Sequence, residues 1–381
     1  MKGMPSIRHA LRSPVFAVGG NDPVSLEALP TRVFGRIAHL LGFVIDVTVT
    51  PSYTTAPTIA GIHSLIKSLV FFDGIGERLN LSGFDIRLME ILENGRRVIP
   101  DPPTNNGTGN AVTFRLVVGL GPPNYAGSPS DFMLPCAALK NGELRFTFGA
   151  LTDYSADTTA LNSVNIRLGA LVGALDNEIR VAPAFERRAF NYSTNDALIQ
   201  GNALYCAVGI AKQNYAAFAA GDLNEITIDG GQGASNSVLA STLEAAAHFD
   251  LRAGHVTQLA GEPRNANDVD ARTINLGTPT AIAPSDRTIQ AVCVSPDETR
   301  ISKILYEATS GLRIKYTGTF TTPRILVGRI LEQPRASAAA IAARAIAELR
   351  LPAPKSAKVK TLSKMAYSGP REAYLPWSFT W

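Results

Sequence analysis

Five histidines, three cysteines and 32 acids are the side chains with which this 381-residue chain would have to perform hydrolysis, redox chemistry or metal binding. His9, His39, His63, His248 and His255 include no His-Glu-x-x-His, the spacing that sets two ligands and a base on one helical face. No His-x-His occurs either, so the iron or manganese site of a double-barrel cupin, the natural enzyme for an all-β chain of this length, lacks its ligand pair. His248 and His255 stand two helical turns apart, but Asp250 and Gly254 between them read as a helix end. Cys136, Cys206 and Cys293 are odd in number, far apart and free of any Cys-x-x-Cys. They encode neither a zinc cage nor a disulfide framework, and read as small core residues of a chain kept in a reducing compartment.

Other chemistries lose their markers in the same way. There is no Gly-x-Ser-x-Gly elbow, no Walker loop and no Gly-x-Gly-x-x-Gly after a strand; Gly74-Ile-Gly76 and Gly231-Gln-Gly233 read as turns. Two acids distant in sequence can still face each other about 5–9 Å apart in a glycosidase cleft. Carbohydrate enzymes and lectins also present aromatic platforms to sugar faces, however, and Trp377 and Trp381 are the only tryptophans. On this reading the chain has no catalytic residue, no cofactor and no metal.

The elements available to hold any site are mostly strands. Leu144–Phe148, Val164–Leu168 and Leu312–Tyr316 alternate apolar and polar residues, as a sheet with one wet face requires. Phe43–Thr50, Val112–Val118, Leu204–Ile210, Ile289–Val294 and Ile325–Leu331 read as strands at a sheet centre or buried on both faces. Gly-, Pro- and Asn-rich clusters at Asp101–Gly109, Gly121–Gly127 and Asp229–Gly233 predict reversals. Only Ser237–Phe249 and Ala336–Leu349 look helical, so an all-β sandwich is preferred to a wound α/β sheet. A break near Leu175–Asn177 divides the chain into an N-terminal arm (1–25), two halves (26–175 and 176–335) and a C-terminal helix with its tail (336–381), each half long enough for an eight-stranded antiparallel sandwich.

Charge is sparse and uneven. Charged residues make up 18% of the chain, against about 25% in ordinary soluble domains. The net charge is +4, yet Arg350, Lys355, Lys358, Lys360, Lys364 and Arg371 oppose only Glu372 in the tail, so the whole positive excess lies there. Lys2, Arg8 and Arg12 make a second basic end. A mildly acidic body with two basic ends suits a particle subunit or anchored protein whose termini meet an anionic surface. Trp377, Phe379 and Trp381 beside Lys355, Lys358, Lys360, Lys364 and Arg371 combine interfacial aromatics with cations, a pairing suited to lipid headgroups or to a groove on a neighbouring subunit. The first twenty residues lack the apolar core of a secretory signal, and the longest apolar runs, Ala38–Val49 and Ile325–Leu331, are interrupted and fall short of the roughly 20 residues of a membrane span.

One stretch carries a family likeness. Leu29-Pro-Thr-Arg-Val-Phe-Gly-Arg36, the strand Gly42-Phe-Val-Ile-Asp-Val-Thr-Val49, then Ser64-Leu-Ile-Lys-Ser-Leu-Val-Phe-Phe-Asp73 and Leu81-Ser-Gly-Phe-Asp-Ile-Arg-Leu88 follow one another in an order that resembles the amino-terminal part of the double jelly-roll major capsid proteins of tailless icosahedral viruses, many of which enclose a membrane. On physical grounds Ser68–Asp73 is a strand, Gly74 and Gly76 permit a reversal, and Phe84, Ile86 and Leu88 pin the following segment beneath the sandwich. The resemblance implies two consecutive eight-stranded jelly rolls with a few short helices, and a homotrimeric capsomer of pseudo-hexagonal outline without catalytic residues. It further implies a place in the virion shell after synthesis in the host cytoplasm. The partners would be neighbouring capsomers, vertex or minor capsid proteins and an internal lipid membrane, with no sequence-specific nucleic acid. The competing readings are a sandwich enzyme or carbohydrate-binding module, and a capsid protein of the tailed-phage type, which carries a long spine helix.

Overall fold

The computed structural model describes residues 6–94, 99, 101–104, 107–122, 132–176, 184–216, 222, 225–229, 238–240, 259–262, 288–293, 306–308 and 311–331. The chain divides at Gln333/Pro334, and every described residue precedes that point. The expected helix Ala336–Leu349, the whole tail, His248 and His255 therefore lie outside the described residues. Val238–Ala240, expected to open the other helix, is instead a strand.

In chain order the strands are β1 (Ser6–Ala10), β2 (Asn21–Ser25), β3 (Arg32–Val33), β4 (Arg36–Tyr53), β5 (Ile66–Phe72), β6 (Glu77–Leu81), β7 (Val112–Gly119), β8 (Leu134–Pro135), β9 (Glu143–Phe148) and β10 (Thr158–Leu175). There follow β11 (Ala184–Asn191), β12 (Asp196–Gln200), β13 (Ala203–Lys212), β14 (Glu225–Asp229), β15 (Val238–Ala240), β16 (Leu259–Glu262), β17 (Thr288–Cys293), β18 (Tyr306–Ala308), β19 (Gly311–Thr317) and β20 (Pro323–Leu331). Helices α1 (Ile59–His63), α2 (Gly83–Asn94) and α3 (Leu151–Tyr154) interrupt the first half. At twelve residues, α2 is the longest helix among the described residues, which leaves no spine helix of the tailed-phage type there.

The strand order repeats. With the short strands β3, β8, β16 and β18 set aside, each half contributes eight strands. The first half lays β1-β10-β4-β7 in one sheet and β2-β9-β5-β6 in the other. The second half lays β11-β20-β13-β17 in one sheet and β12-β19-β14-β15 in the other. Counted within each half, both therefore run first, eighth, third, sixth and second, seventh, fourth, fifth. This is the order of a jelly roll, in which two Greek keys fold onto each other as two sheets. The chain is a double jelly roll. Between the halves β11 pairs with β6, Arg187 opposite Leu79 and Arg188 opposite Asn80, in the one parallel pairing among the described residues. That pairing merges a sheet of each roll into one ten-stranded sheet.

The backbone of the first roll is the pair β4 and β10, 18 residues each, aligned from Tyr53 opposite Thr158 to Ile37 opposite Leu175 with three bulges. From Ile45 onward β4 alternates as a strand with one wet face should: Ile45, Val47 and Val49 are buried, while Asp46, Thr48 and Thr50 are half-buried outside. Val112–Val118 alternates too, with Thr113 and Val117 outward, so it is not buried on both faces as its apolar content predicts. β13 and β20 are buried nearly throughout, because a helix covers one of their faces.

Residues 6–25, read from sequence as part of an N-terminal arm, carry β1 and β2. β1 escapes periodicity because none of its residues is buried; backbone pairing to β10 holds it, and Arg8 crosses the sheet to Asp46 at 2.8 Å. In β2 the Asp22-Pro23 dipeptide disguises an edge strand whose Val24 is fully buried.

Candidate functional site

The chemically unusual part of the molecule is the seam between the rolls, and α2 builds it. Ser82 and Asp85 form a capping box: the Asp85 N–H donates to Ser82 Oγ at 3.0 Å and the Ser82 N–H donates to Asp85 Oδ2 at 2.8 Å. Phe84, Ile86, Leu88, Met89 and Leu92 face inward and join one apolar cluster with Ala207 and Ala211 of β13 and Leu326 of β20. Phe84, Ile86 and Leu88 thus pin this segment, but as a helix wedged against the second roll.

The second roll receives α2 on a floor of small residues. Ala207, Gly209 and Ala211 occupy alternate positions of β13, and Gly328 of β20 pairs with Ala207. A Cβ on Gly209 would lie 2.5 Å from Leu92 Cδ1, and one on Gly328 would lie 2.9 Å from Glu93 Oε1 and 3.3 Å from Met89 Cε. Any side chain there would hold the helix off the sheet.

Two buried charge clusters lock this contact. Fully buried Asp85 accepts from Arg324 Nε and from the Tyr215 hydroxyl, each at 2.8 Å, and Arg324 Nη1 continues to Asn191 at 2.7 Å. Burial holds the Tyr215 phenol far above its ordinary value, with the Asp85 charge adding to the effect. Burial works against the Arg324 charge, but the hydrogen bonds and charge of Asp85 outweigh it and hold the guanidinium protonated. At the other end of α2, Arg187 forks onto Glu93, Nε to Oε1 at 2.7 Å and Nη2 to Oε2 at 2.9 Å. Arg187 also donates to the carbonyls of Gly119 and Gly121 and stacks on Phe185 at 4.5 Å. Nearby, Glu186 accepts from Arg329 at 2.9 Å and pairs with Arg188, which reaches Glu77 of β6 at 2.7 Å. A buried pair of this kind adds little net stability against apolar residues of equal size, yet breaking it costs about 3–5 kcal/mol, so it acts on geometry.

These buried acids are committed to arginines, which suits joining and not proton transfer. The described histidines do not converge: His9 contacts the Ala28 carbonyl, His39 that of Ile37, and His63 that of Ile59. Among the described residues no three His, Cys, Asp or Glu side chains are grouped to hold a metal. Cys136 and Cys206 are buried, and burial pushes both thiols up to about 12, as expected of core residues. Lys355, Lys358, Lys360, Lys364, Arg371, Trp377, Phe379 and Trp381 lie outside the described residues. Sequence reasoning passed over the seam, although Ser82-x-x-Asp85 and the alternation Ala207-x-Gly209-x-Ala211 were its visible signals.

No family model and no curated protein matches the chain. Solved structures do. The chain is similar to the STIV major capsid protein, with a TM-score of 0.52 and 11% identity over 86% of this chain and 97% of that one. It is similar to PBCV-1 VP54, as fitted into a cryo-EM reconstruction of the virophage Sputnik, with a TM-score of 0.51 and 9% identity over 87% and 95%. For the major capsid protein P2 of bacteriophage PM2 the values are 0.46 and 15% over 87% and 99%. The first two likenesses carry the same fold that the strand order defines, at nearly full length.

Proposed function

We propose that the chain is the major capsid subunit of a tailless icosahedral virus, acting as a homotrimer in the virion shell after synthesis in the host cytoplasm. The repeated jelly-roll order, with the two rolls joined by the β6–β11 pairing, carries this reading. Three copies of a body made of two like lobes give six like corners, the outline that packs in a hexagonal facet, and a fixed lobe-to-lobe geometry is what such tiling demands. Low charge fits the same role, because permanent interfaces are depleted in Lys and Glu. In this reading the first roll runs to residue 175, the second to 335, and the helix and tail follow. The partners are further copies, minor or vertex proteins and an internal membrane; neither catalysis nor sequence-specific nucleic-acid binding belongs to it. Lys355, Lys358, Lys360, Lys364 and Arg371, with Trp377, Phe379 and Trp381, contact lipid or the adjoining subunit.

Sedimentation at micromolar concentration tests the proposal: a trimer is expected, and a monomer overturns it. Deleting residues 351–381 is expected to leave the fold intact and to lower particle yield or lipid content. Unchanged yield and lipid content remove the role assigned to the tail.

A further inference from the structure

The pairings of the β1-β10-β4-β7 sheet fix what its outer face presents, row by row. Asp46 of β4 stands opposite Arg167 of β10 on one side and Arg115 of β7 on the other, so these three side chains form one row on the wet face. Arg8 of β1 reaches the same carboxylate from across β10. It passes over Gly169, where a Cβ would lie 2.8 Å from Arg8 Cγ, and its Nη2 donates to Asp46 Oδ2 at 2.8 Å. Arg115 Nε donates to the other oxygen, Asp46 Oδ1. Burial raises the Asp46 pKa, but the hydrogen bonds and charges of Arg115 and Arg8 outweigh it and hold the carboxyl below its ordinary 3.8. Three guanidiniums around one carboxylate therefore leave an excess of positive charge in the middle of the face.

The cations remain accessible. Arg8 and Arg115 are each 35% exposed, so Asp46 orders them without covering them, and Arg167 is exposed and pairs with no acid among the described residues. The adjoining rows are polar and short. Thr48 lies between exposed Asn165 and Thr113, its hydroxyl 3.0 Å from that of Thr113, and in the next row the Ser163 hydroxyl donates to Thr50 at 2.9 Å. The aromatic residues of these strand segments, Phe43 and Phe114, turn inward and are buried, which leaves Val117 as the exposed large apolar side chain beside the arginines.

We propose that this face binds an acidic polysaccharide, with the oxyanion groups of the polymer on Arg8, Arg115 and Arg167 and its hydroxyls on the threonine and asparagine rows beside them. The inference goes beyond the capsid reading and assigns a ligand to one face of the first roll. A guanidinium offers paired N–H groups in a fixed plane, the geometry that grips a sulfate, phosphate or carboxylate, and two of the three are already oriented by Asp46. Neutral sugars are held on aromatic platforms, which this face lacks, whereas an acidic sugar is held through its charge. The bases of a single-stranded nucleic acid would call for the same stacking rings. A permanent protein interface needs an apolar centre, and Val117 alone does not supply one.

The test is titration calorimetry of the full chain at about 50 mM salt, where charged contacts are little screened. The probes are a heparin hexasaccharide, its desulfated form, free sulfate, and a single-stranded oligonucleotide of equal charge. Three proteins are compared: the wild type, the Arg8→Gln, Arg167→Gln double variant, and a Lys358→Gln, Lys360→Gln, Lys364→Gln variant of the basic tail. Both arginines are exposed and Asp46 keeps Arg115, so the thermal midpoint of the double variant is expected to hold. Its affinity for the sulfated hexasaccharide is expected to fall about tenfold or more, while the tail variant stays within twofold of the wild type. The inference fails if the wild type does not bind, if the desulfated sugar or free sulfate binds as tightly, or if the double variant stays within twofold. It fails equally if the tail variant is the one that loses binding, or if the oligonucleotide binds more tightly through the same arginines. A double variant that loses its oligomer would make the face a subunit contact and also overturn the inference. Sedimentation of the wild type reads the capsid proposal separately, since a monomer would sink that proposal whatever the sugar does.

Discussion

Replacing Arg187 with methionine removes the fork that ties β11 to α2. Glu93, whose side chain is 6% exposed, then stays buried without its guanidinium partner, and the Gly119 and Gly121 carbonyls lose the Arg187 donor. Breaking a buried pair in this way costs about 3–5 kcal/mol. For a cooperative unit the size of Met1–Gln333 the unfolding entropy is about 0.7 kcal/mol/K, from roughly 2.1 cal/mol/K per residue, so the midpoint should fall by about 4–7 °C. The Glu93→Met, Arg187→Met double variant should recover most of that loss, because apolar groups of similar volume replace a buried pair at little cost. Differential scanning calorimetry measures both variants and shows whether the rolls still unfold in one transition. A shift below about 1 °C in the single variant, or a double variant as unstable as the single one, would refute the view of this pair as the lock of the seam.

Further outcomes follow from the same geometry. His63 packs against Phe84 and Phe114, and burial takes its imidazole down to about 4, opposed by the hydrogen bond to the Ile59 carbonyl. The unfolded chain therefore binds a proton between pH 6.5 and about 4 that the fold refuses, and stability should drop across that window by on the order of 3 kcal/mol. Denaturant melts at pH 7 and 4.5 should show that drop in the wild type and not in His63→Gln; an equal slope in both would exclude His63 as its source. Asp73 behaves differently. Burial raises its pKa, but the Ile75 and Gly76 N–H groups and Arg78 outweigh that and hold it below its ordinary 3.8, so its contribution is intact above that value and is lost only as pH falls through the lowered one. Gly209→Val should cost about 1–3 kcal/mol by forcing Leu92 and α2 off the second roll, and an unshifted melt would show that the helix has room to give. Maleimide at pH 8 should leave Cys136 and Cys206 unlabelled until the protein unfolds; peptide mapping that finds either one modified in the folded protein contradicts their burial.

Much of the strand content was legible. Leu144–Phe148, Val164–Leu168 and Leu312–Tyr316 fall inside β9, β10 and β19, because alternation is a local property that a half-buried sheet imposes on each strand separately. The residues of α2 did not read as a helix, since only Ser237–Phe249 and Ala336–Leu349 looked helical. Its Ser82-x-x-Asp85 box is a local cap, but the charges it carries, Asp85, Arg87 and Glu93, read as ordinary solvated residues. Their partners, Arg324, Asp101 and Arg187, include two that come from strands far along the chain, so nothing local marks these residues as buried. β1 and β2 were missed for the opposite reason: β1 buries no residue and β2 only Val24, so neither leaves a period to read.

Composition and periodicity alone established an all-β chain with sparse charge, two basic ends and no assembled catalytic motif, since each of these follows from residue types within a short window. Only the tertiary structure decided that the two halves share one strand order, that β6 and β11 merge them into a common sheet, and that a helix with three acidic or basic side chains is buried between them. The burial of Glu93 and Asp85 depends on partners 94 and 239 positions away, and a buried charge becomes tolerable only when its counter-charge is in place.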